Sequence, residues 1–434
     1  INAELARDND GRYRLQSLQD WRRMLAWSDG NHQFVLESDL DLSADNGFSV
    51  AYFAGSLDGG NHTLSGLNIG QAGFTRDAGL FGVVANGASL SQLKLTGASV
   101  QAHGNAGLLA GRNAGTISQV EATGSVQGGG TFADNSSGGL VGLNSGSISQ
   151  AVSGGVVSGK QNAGGLVGRN QGQISHASST ASVSATLGQV GGLVGGNQGY
   201  QAQISDSSAS GNVSTGSVEA GGLVGINYQG ASISHSQASG MVSGQDYAGG
   251  LVGNNSGGII SDSEASGNVS GRDYVGGIAG ITQANGEYHA DISDSVARGT
   301  VLGRHYVGGV AGASESGFAA SYISRSQSSA TVSASGNYAG GVAGRLASGG
   351  YAAAALISDS GASGSVSGSN YVGGVAGTVA GQYASVLGTA FTGAASSSAN
   401  AADGQVWLGG VVGYLAAGNL SNIYYNVGSV TLNN

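Results

Sequence analysis

A short glycine-bounded pattern, repeated along most of the chain, limits what this sequence can fold into. Gly, two mainly aliphatic residues and Gly recur eleven times from Gly79–Gly82 to Gly410–Gly413, and the variant Leu108–Gly111 makes twelve copies, at spacings of 26 to 36 residues. Each copy is followed by two more short segments with an aliphatic centre, such as Ile204-Ser205 and Val213-Ser214, bounded by Gly, Ser or Asn. Three short strands per repeat predict an all-β parallel β-helix (β-solenoid) of about twelve coils, with one coil per repeat.

The composition agrees with stacked coils and excludes several other classes of protein. The 434 residues include 84 Gly, no Pro and only 9% charged residues. Pro cannot donate the hydrogen bond that an interior strand gives to the next coil, and stacked like charges repel each other. The absence of Cys excludes disulfides and thiol chemistry. An excess of 25 Asp+Glu over 15 Lys+Arg argues against nucleic acid as a partner, and no apolar run is long enough for membrane insertion.

An Asn residue stands two positions after the closing Gly in six consecutive copies. Equivalent residues of stacked coils lie about 4.8 Å apart, so their side chains are able to hydrogen-bond along the stack and to cap turns. We therefore expect a structural ladder, and not a ligand site, at Asn113, Asn144, Asn170, Asn197, Asn227 and Asn255.

Residues 1–77 differ from the repeats of residues 78–434, and we expect them to contain a helical cap followed by the first solenoid strands. The segment Ser17–Asp20 resembles a capping box at the start of a helix of about ten residues. Such a helix covers strand edges that would otherwise be unpaired at the end of the stack. Its apolar face is formed by Leu18, Trp21, Met24, Leu25 and Trp27.

Copies such as Gly139–Gly142 resemble the GLUG motif, and Phe53–Leu67 resembles the segment that opens arrays of this motif. Similar modules occur in filamentous-haemagglutinin-like bacterial surface adhesins and in immunoglobulin-A-specific metalloproteases. The resemblance covers about residues 30–430. It implies a right-handed solenoid scaffold that forms part of a longer polypeptide. A two-partner-secretion Asn-Pro-Asn-Gly motif and a His-Glu-x-x-His motif are both missing, so we expect neither a secretion domain nor a protease domain here.

Two columns of polar residues come nearest to a catalytic or metal site. In the first column Asp262 and Asp294 would be about 5 Å apart, and carboxylates at that distance are able to hold a cation. The mixture of His, Arg and Gln in the same column fits relief of charge repulsion better, so we expect no catalytic residue, metal ligand or cofactor. The first column is Gln150, His176, Asp206, His235, Asp262, Asp294, Arg325 and Asp359; the second is Asp246, Asp273, His305, Asn337 and Asn370.

Aromatic residues in the second half of the chain are the candidate ligand-binding residues. One precedes each Gly-Gly pair by two positions, so that the rings form a ladder that either stabilises the coils or binds a ligand. In residues 281–390 the loops after the motif lengthen, which marks either a binding side or neutral drift. The ladder residues are Tyr247, Tyr274, Tyr306, Tyr338, Tyr371 and Trp407, and the loop residues are Tyr288, Tyr322, Tyr351 and Tyr383.

These features favour a non-enzymatic adhesin or structural module of a large secreted or surface-anchored bacterial protein. It would act as a rigid stalk and as a surface that binds a host or bacterial glycan, an exopolysaccharide or a protein receptor, as in biofilms and cell adhesion. One alternative is a polysaccharide-active β-helix enzyme, which needs more acidic and basic groups on one face. Another is an ice- or surface-binding solenoid, which needs flat Thr columns, whereas the Ser columns here are interrupted, as at Leu302.

Overall fold

The computed structural model describes residues 5–45, 47–70, 77–130, 135–398, 406–426, 428 and 430–432. Two compact units share the chain: Ile1–Thr186 with Gly192–Gly196, and Leu187–Gly191 with Asn197–Asn434. Each unit winds as a parallel β-solenoid, and the two units together contain about twelve coils. The fold class predicted from the repeat is therefore confirmed.

Each complete coil has three faces, which are numbered here by the size of their sheets. In residues 246–270 the third face comes first along the chain, the second face follows after a Gly-Leu corner, and the first face closes the coil. Each strand pairs in parallel with its equivalent in the next coil, as Val252 does with Ala279. The strands of this coil are Asp246–Gly249 (third face), Val252–Ser256 (second face), and Ile259–Ser261, Glu264–Ala265 and Val269–Ser270 (first face).

The second and third faces carry the glycine motif. The strands of the second face are Val50–Phe53, Phe81–Val84, Ala110–Asn113, Val141–Asn144, Val167–Asn170, Val194–Gln198, Val224–Tyr228, Val252–Ser256, Ala279–Gln283, Ala311–Glu315, Ala343–Ala347, Ala376–Ala380 and Val412–Leu415. The strands of the third face are Ser136–Gly138, Asn162–Gly164, Val190–Gly191, Ala220–Gly221, Asp246–Gly249, Asp273–Gly276, His305–Gly308, Ala339–Gly340, Val372–Gly373 and Leu408–Gly409.

The first face contains the remaining strands. In the first unit these are Tyr13–Leu15, Gln33–Leu36, Leu40–Asp41, Ser56–Asp58, Thr63–Ser65, Asn68–Gly70, Ser89–Ala102, Thr116–Gly128, Ser147–Ser149, Val152–Gly159, Gln173–Ser175, Ser178–Ser179 and Ser182–Ala185. In the second unit they are Gln203–Ser205, Ser208–Ala209, Val213–Thr215, Ser232–Ser234, Gln237–Ala238, Val242–Ser243, Ile259–Ser261, Glu264–Ala265, Val269–Ser270, Ala290–Ser293, Val296–Ala297, Thr300–Gly303, Ser321–Ser324, Gln327–Ser328, Thr331–Ala334, Ala355–Ser358, Gly361–Ala362, Val366–Gly368, Ala384–Leu387, Ala390–Phe391, Ala395–Ser397, Asn419–Ser421, Tyr424–Tyr425 and Val430–Leu432.

The glycine motif forms the corner between the third and second faces. Leu251 and Val252, between the glycines, are completely buried in the core together with Ile260 of the first face. A side chain at Gly249 would collide with the carbonyl oxygen of Val252, and one at Gly250 with a carbonyl of the next coil. The corner therefore needs glycines for close approach and aliphatic residues to bury apolar surface.

The short helix predicted near the N-terminus is present as Leu18–Met24, followed by a 3₁₀ turn at Leu25–Trp27. Ser17 is its N-cap, and the Ser17 hydroxyl accepts a hydrogen bond from the backbone N–H of Asp20 (3.2 Å). The apolar face is narrower than expected because Leu25 is exposed. The other end of the predicted face is present, because Trp27 of the 3₁₀ turn stacks on Tyr13 with 5.7 Å between ring centroids.

Trp21 and Met24 are the completely buried side chains of this helix. The Trp21 ring meets Phe81 edge to face, with 6.3 Å between ring centroids. Phe81 continues a column of core aromatic rings through Phe53 (5.0 Å) to Phe34 (6.0 Å). The helix is thus joined to the core of the first coils through aromatic contacts.

Candidate functional site

In the first unit, three asparagine side chains form a hydrogen-bonded ladder at predicted positions. Asn113 Nδ2 donates to Asn144 Oδ1 (2.8 Å), and Asn144 Nδ2 donates to Asn170 Oδ1 (2.8 Å). Asn113 also caps its own turn, because its Oδ1 accepts from the backbone N–H of Gly115 (3.1 Å). All three asparagines are completely buried, so the ladder provides the partners that buried amides require.

The second unit contains the same kind of ladder. Asn197 Nδ2 donates to Asn227 Oδ1, and Asn227 Nδ2 donates to Asn255 Oδ1, both at 2.9 Å. Asn227 Nδ2 also donates to the carbonyl of Ala231 (3.1 Å). The ladder ends where Asn255 Nδ2 donates to Thr282 Oγ1 (3.1 Å).

A buried serine ladder, which the sequence analysis missed, runs along the first face of the second unit. The backbone N–H of Ser236 donates to Ser263 Oγ (3.2 Å), and that hydroxyl donates to the carbonyl of Ser261 (2.7 Å). The recurring Ile-Ser-x-Ser pattern is the sequence signal that would have revealed it. The ladder residues are Ser207, Ser236, Ser263, Ser295, Ser326 and Ser360.

The first polar column follows the Ile-Ser pairs, and its members occupy left-handed backbone with φ of 46–52°. Arg325 clamps Asp294 through two contacts, Nε to Oδ1 (2.8 Å) and Nη2 to Oδ2 (2.7 Å). This clamp holds the pKa of Asp294 below its usual range. Asp294 also lines an open groove of about 380 Å³ with His235, Asp262 and Glu264. Two of the three carboxylates at this groove are thus already engaged by arginines, because Glu264 also pairs with Arg298 (2.7 Å).

The second polar column contains a chain of alternating charges. Arg272 Nε lies 2.9 Å from Asp246 Oδ1 and 3.5 Å from Asp273 Oδ2. Arg304 Nη2 in turn lies 2.8 Å from Asp273 Oδ2. Because each aspartate faces an arginine, like-charge repulsion between neighbouring coils is relieved.

Five tyrosines form a ladder of stacked rings at the start of the third face. Ring centroids are 5.2 Å apart for the first pair and 4.7 Å apart for the other three, with interplanar angles of 2–29°. All five have φ of 53–70°, a left-handed conformation that costs a bulky residue free energy. The ladder is formed by Tyr247, Tyr274, Tyr306, Tyr338 and Tyr371.

The stacking leaves only part of each ladder ring available to a ligand. Tyr274, Tyr306 and Tyr338 each have a neighbouring ring on both faces. Burial, aided by the charge of Glu315, raises the pKa of Tyr274 to about 12. Ligand binding by these residues stays a prediction, and in this arrangement it would use ring edges and protonated hydroxyls.

The ladder side chains lie against the second face. Glu219, which precedes the tyrosines in the same column, accepts a hydrogen bond from Asn254 Nδ2 (3.0 Å). The Arg345 guanidinium lies 6.0 Å from the centre of the Tyr306 ring and pairs with Glu315 at 2.7 Å. The column therefore packs onto outward positions of the next coil.

Trp407 is in register with the tyrosines but does not extend their stack. Its neighbour Leu408 pairs with Val372, as the repeat requires. The Tyr371 ring instead meets Tyr414 edge to face (5.6 Å), and Tyr414 contacts Trp407 (4.8 Å). Tyr414 comes from the second face, where the sequence analysis did not look for a ladder residue.

The segments that join the second face to the first face are called here the loop corner of the second unit. Tyr288, Tyr351 and Tyr383 lie in it and are exposed. Tyr322 does not, because it lies within the strand Ser321–Ser324, half-buried and 6.1 Å from the His289 ring. The loop was taken to extend from the glycine motif to the next Ile, Ile323, whereas the strand already begins at Ser321. The loop-corner segments are residues 199–202, 229–231, 257–258, 284–289, 316–320, 348–354, 381–383 and 416–418.

Two further aromatic residues of the loop corner were missed. Tyr200 is 70% exposed and Phe318 is 69% exposed. Phe318 stacks on Tyr351, with 3.9 Å between ring centroids. Their position between the motif and the following Ile is the signal that would have identified them.

Within the described ranges, no three acidic or histidine side chains are grouped so that they could hold a metal ion. Among the helices of the same ranges, none is both long and apolar enough to cross a membrane.

Comparison with known proteins gives one family and two individual similarities. The family model "The GLUG motif" matches residues 159–184, 186–214, 216–243 and 244–270. Halomucin from Haloquadratum walsbyi is 34% identical over 146 residues, which is 30% of this chain and only 2% of Halomucin. The crystal structure of a candidate immunoglobulin A1 protease from Bacteroides ovatus has a TM-score of 0.43 and 19% identity, covering 55% of this chain and 78% of that one. This last similarity carries no argument about activity.

Each matched stretch corresponds to one turn of the solenoid. Residues 244–270, for example, run from just before the third-face strand Asp246–Gly249 to the last first-face strand, Val269–Ser270. Copies of the glycine pattern after residue 270 form coils with the same three faces. This chain is a parallel β-solenoid that carries GLUG motifs.

Proposed function

We propose that this chain is a non-enzymatic structural and adhesive module of a large secreted or cell-surface protein. The solenoid serves as a stalk, and its loop corner serves as a ligand-binding surface. The observation that carries the proposal is that polar and aromatic side chains form ladders from coil to coil. Ladders of Asn, Ser and Tyr distribute stability along the stack, as an extended scaffold requires.

The similarities to known proteins support the proposed extracellular or cell-surface location. GLUG motifs support a structural role, and the match to Halomucin, a protein named for mucin, supports an extracellular location. The chain spans about 2% of the length of that relative, so the partners of the whole protein are part of the proposal. We group the chain with filamentous-haemagglutinin-like adhesins, in which attachment and biofilm formation are the expected roles.

The charged columns support a role other than catalysis. Glycoside hydrolysis requires a general acid and a second carboxylate that remain free to act on the substrate. Here Asp294 is engaged by Arg325, and Asp273 lies between Arg272 and Arg304. Carboxylates held in this way neutralise charge between coils.

An attachment assay tests the proposed function. Beads coated with the full chain should attach to surfaces coated with bacterial exopolysaccharide or with host-cell glycoproteins more strongly than beads coated with serum albumin. A reducing-sugar assay on the same polysaccharides should detect no cleavage. Attachment no stronger than that of albumin-coated beads on every surface, or release of reducing ends, would refute the proposed function.

A further inference from the structure

We propose that the loop corner of the second unit binds an uncharged, extended polysaccharide through a row of exposed aromatic rings. This inference rests on the proposed adhesive function and names its ligand class and site. The row is formed by Tyr200, Tyr288, Phe318, Tyr351 and Tyr383.

The centre of the row is the stacked pair Phe318 and Tyr351. Their exposures are 69% and 54%, although both rings are large and mainly apolar. Exposed apolar surface of this kind marks interaction sites on soluble proteins. Each ring meets its partner on one side, so the opposite side is available to a ligand.

Hydrogen bonds between successive loops hold this pair in place. Ser316 Oγ donates to the carbonyl of Ala353 (2.8 Å), and the backbone N–H of Gly349 donates to the carbonyl of Ser316 (3.1 Å). The backbone N–H of Tyr383 donates to Ser348 Oγ (3.1 Å). The loops are thus tied to one another, and a ligand would lose little affinity to ordering them.

Tyr288 extends the row towards Tyr200. Backbone hydrogen bonds in both directions between Asn285 and Tyr288 (3.1 and 3.0 Å) form a small hairpin that presents this ring. A Cβ atom at Gly257 would lie 2.7 Å from Tyr288 Cβ. One at Gly230 would lie 3.3 Å from both Tyr288 Cδ1 and Tyr200 Cβ. Glycine at these two positions therefore provides the space in which the two tyrosines lie side by side.

The chemistry of the row matches a neutral carbohydrate. The C–H groups of a pyranose ring carry partial positive charge and pack on the negative face of an aromatic ring. Between residues 199 and 418, the loop-corner segments contain only Glu287 and His289 as acidic, basic or histidine residues. A polyanion such as nucleic acid or an acidic polysaccharide would require Lys or Arg there.

The geometry of the row matches an extended chain. Its aromatic residues follow one corner, and coils repeat about every 4.8 Å. Tyr200 and Tyr383 are six coils apart, so the row is roughly 29 Å long. In the tyrosine ladder, by contrast, the inner rings Tyr274, Tyr306 and Tyr338 cover one another. Phe318 and Tyr351 are each covered by their partner on one side only, whereas the inner rings of the ladder are covered on both sides.

Affinity electrophoresis of the full chain tests the site. The gels contain hydroxyethyl cellulose, barley β-glucan or galactomannan as neutral probes, and alginate as an acidic probe. We expect at least one neutral probe to retard the native protein. The double variant Phe318→Ser/Tyr351→Ser should bind that probe at least tenfold more weakly.

Two single variants serve as controls. Tyr351→Phe keeps the ring and should keep the retardation. Tyr52→Ser removes a tyrosine that is 49% exposed on the second face of the first unit and should leave the retardation unchanged. Circular dichroism spectra of all variants should match that of the native protein, because the altered side chains are exposed. The double variant loses one stacked pair and should melt only slightly below the native protein.

Three outcomes would overturn the proposal: no retardation by any neutral probe, equal retardation of the double variant, or retardation by alginate alone. Bead attachment that is lost after protease treatment of the target surface, but not in the presence of the neutral probes, would assign the corner to a protein partner instead. If beads attach while the gels show no retardation, the adhesive function stands and the polysaccharide site is refuted. If beads attach to nothing, the adhesive function itself fails.

Discussion

At the scale of single residues, buried polar side chains determine how the coils are joined. In the ladder column, Thr282 follows Asn255, and the next coils place Ser314, Leu346 and Val379 at the same position. Apolar residues therefore fit the column where no asparagine neighbour needs a partner. The requirement for Asn at the other positions comes from hydrogen bonding, and shape alone does not impose it.

The substitution Asn227→Leu should destabilise the protein although leucine fits this kind of column. Asn197 Nδ2 loses an acceptor and Asn255 Oδ1 loses its donor, so the free energy of unfolding should fall by roughly 2–4 kcal/mol. Urea denaturation measures this change. The exposed control Gln237→Leu should stay within about 0.5 kcal/mol of the native protein, and a similar result for Asn227→Leu would show that the ladder is dispensable.

Glu219 should make stability depend on pH. Burial raises the pKa of this carboxyl above its ordinary value of 4.5, against hydrogen bonds from Asn254 and Gln189. The folded state binds the proton more tightly than the unfolded chain. The stabilisation is therefore complete below pH 4.5 and is lost as the pH rises through the folded-state pKa. Other carboxylates, such as Asp294, act in the opposite direction because their pKa is lowered.

The variant Glu219→Gln isolates this contribution. Melting temperatures of the native protein and of the variant are compared from pH 4 to pH 8. We expect the native protein to lose stability relative to the variant as the pH rises above 4.5. A constant difference between the two proteins over this range would show that Glu219 titrates equally in the folded and unfolded states.

At the scale of structural elements, the tyrosine ladder combines backbone strain with ring stacking. Each tyrosine is either the second residue of a third-face strand or the residue just before one. All five have left-handed backbone, which costs about 1–3 kcal/mol for a non-glycine residue. Contacts with two neighbouring rings and with the second face offset this cost. Tyrosine therefore occupies these positions, although left-handed backbone alone favours glycine or asparagine.

The substitution Tyr306→Ser should reduce stability while leaving polysaccharide binding intact. It removes two stacked pairs, each worth about 0.5–1.5 kcal/mol, so the loss should be about 1–3 kcal/mol. Tyr306→Phe keeps the stacked ring, so its free energy of unfolding should fall much less. Tyr306→Gly should lose less stability than Tyr306→Ser, because the backbone at residue 306 has a φ of 53°, which suits glycine. Chemical denaturation measures stability, and loss of glycan binding with an unchanged midpoint would assign the ladder to a ligand.

Much of this element-scale arrangement follows from the sequence, because a fixed period forces equivalent residues into register. The stacked coils, the asparagine column and the tyrosine column were all predicted in this way. The direction of each side chain was not predicted, because it depends on the rotamer and on contacts with the neighbouring coil. Trp407 has the predicted register, yet Tyr414 of another face meets Tyr371. The strand Tyr13–Leu15 also escaped prediction because three residues are too few to show alternation.

At the scale of the whole molecule, a solenoid has strand edges at the ends of its stack. In the first unit, Tyr13–Leu15 covers the edge of Gln33–Leu36 by parallel pairing, with Tyr13 opposite Phe34. The helix Leu18–Met24 lies between these two strands in sequence and buries Trp21 completely. We therefore expect strand and helix together to protect backbone groups and apolar side chains that would otherwise bind another molecule.

Deletion of residues 1–30 should therefore cause self-association. The truncated chain exposes the backbone groups of Gln33–Leu36 that pair with Tyr13–Leu15, and it exposes the Phe81 ring that Trp21 covers. The remaining coils still pair with one another. Light scattering should show a mass that rises with concentration, and circular dichroism should retain the β-sheet signal. Adding Gln33→Lys, at an exposed position of this edge, should suppress the association because a charged edge strand pairs poorly with a copy of itself. A truncated chain that keeps its β-sheet and stays monomeric would show that this segment is not what protects the end of the stack.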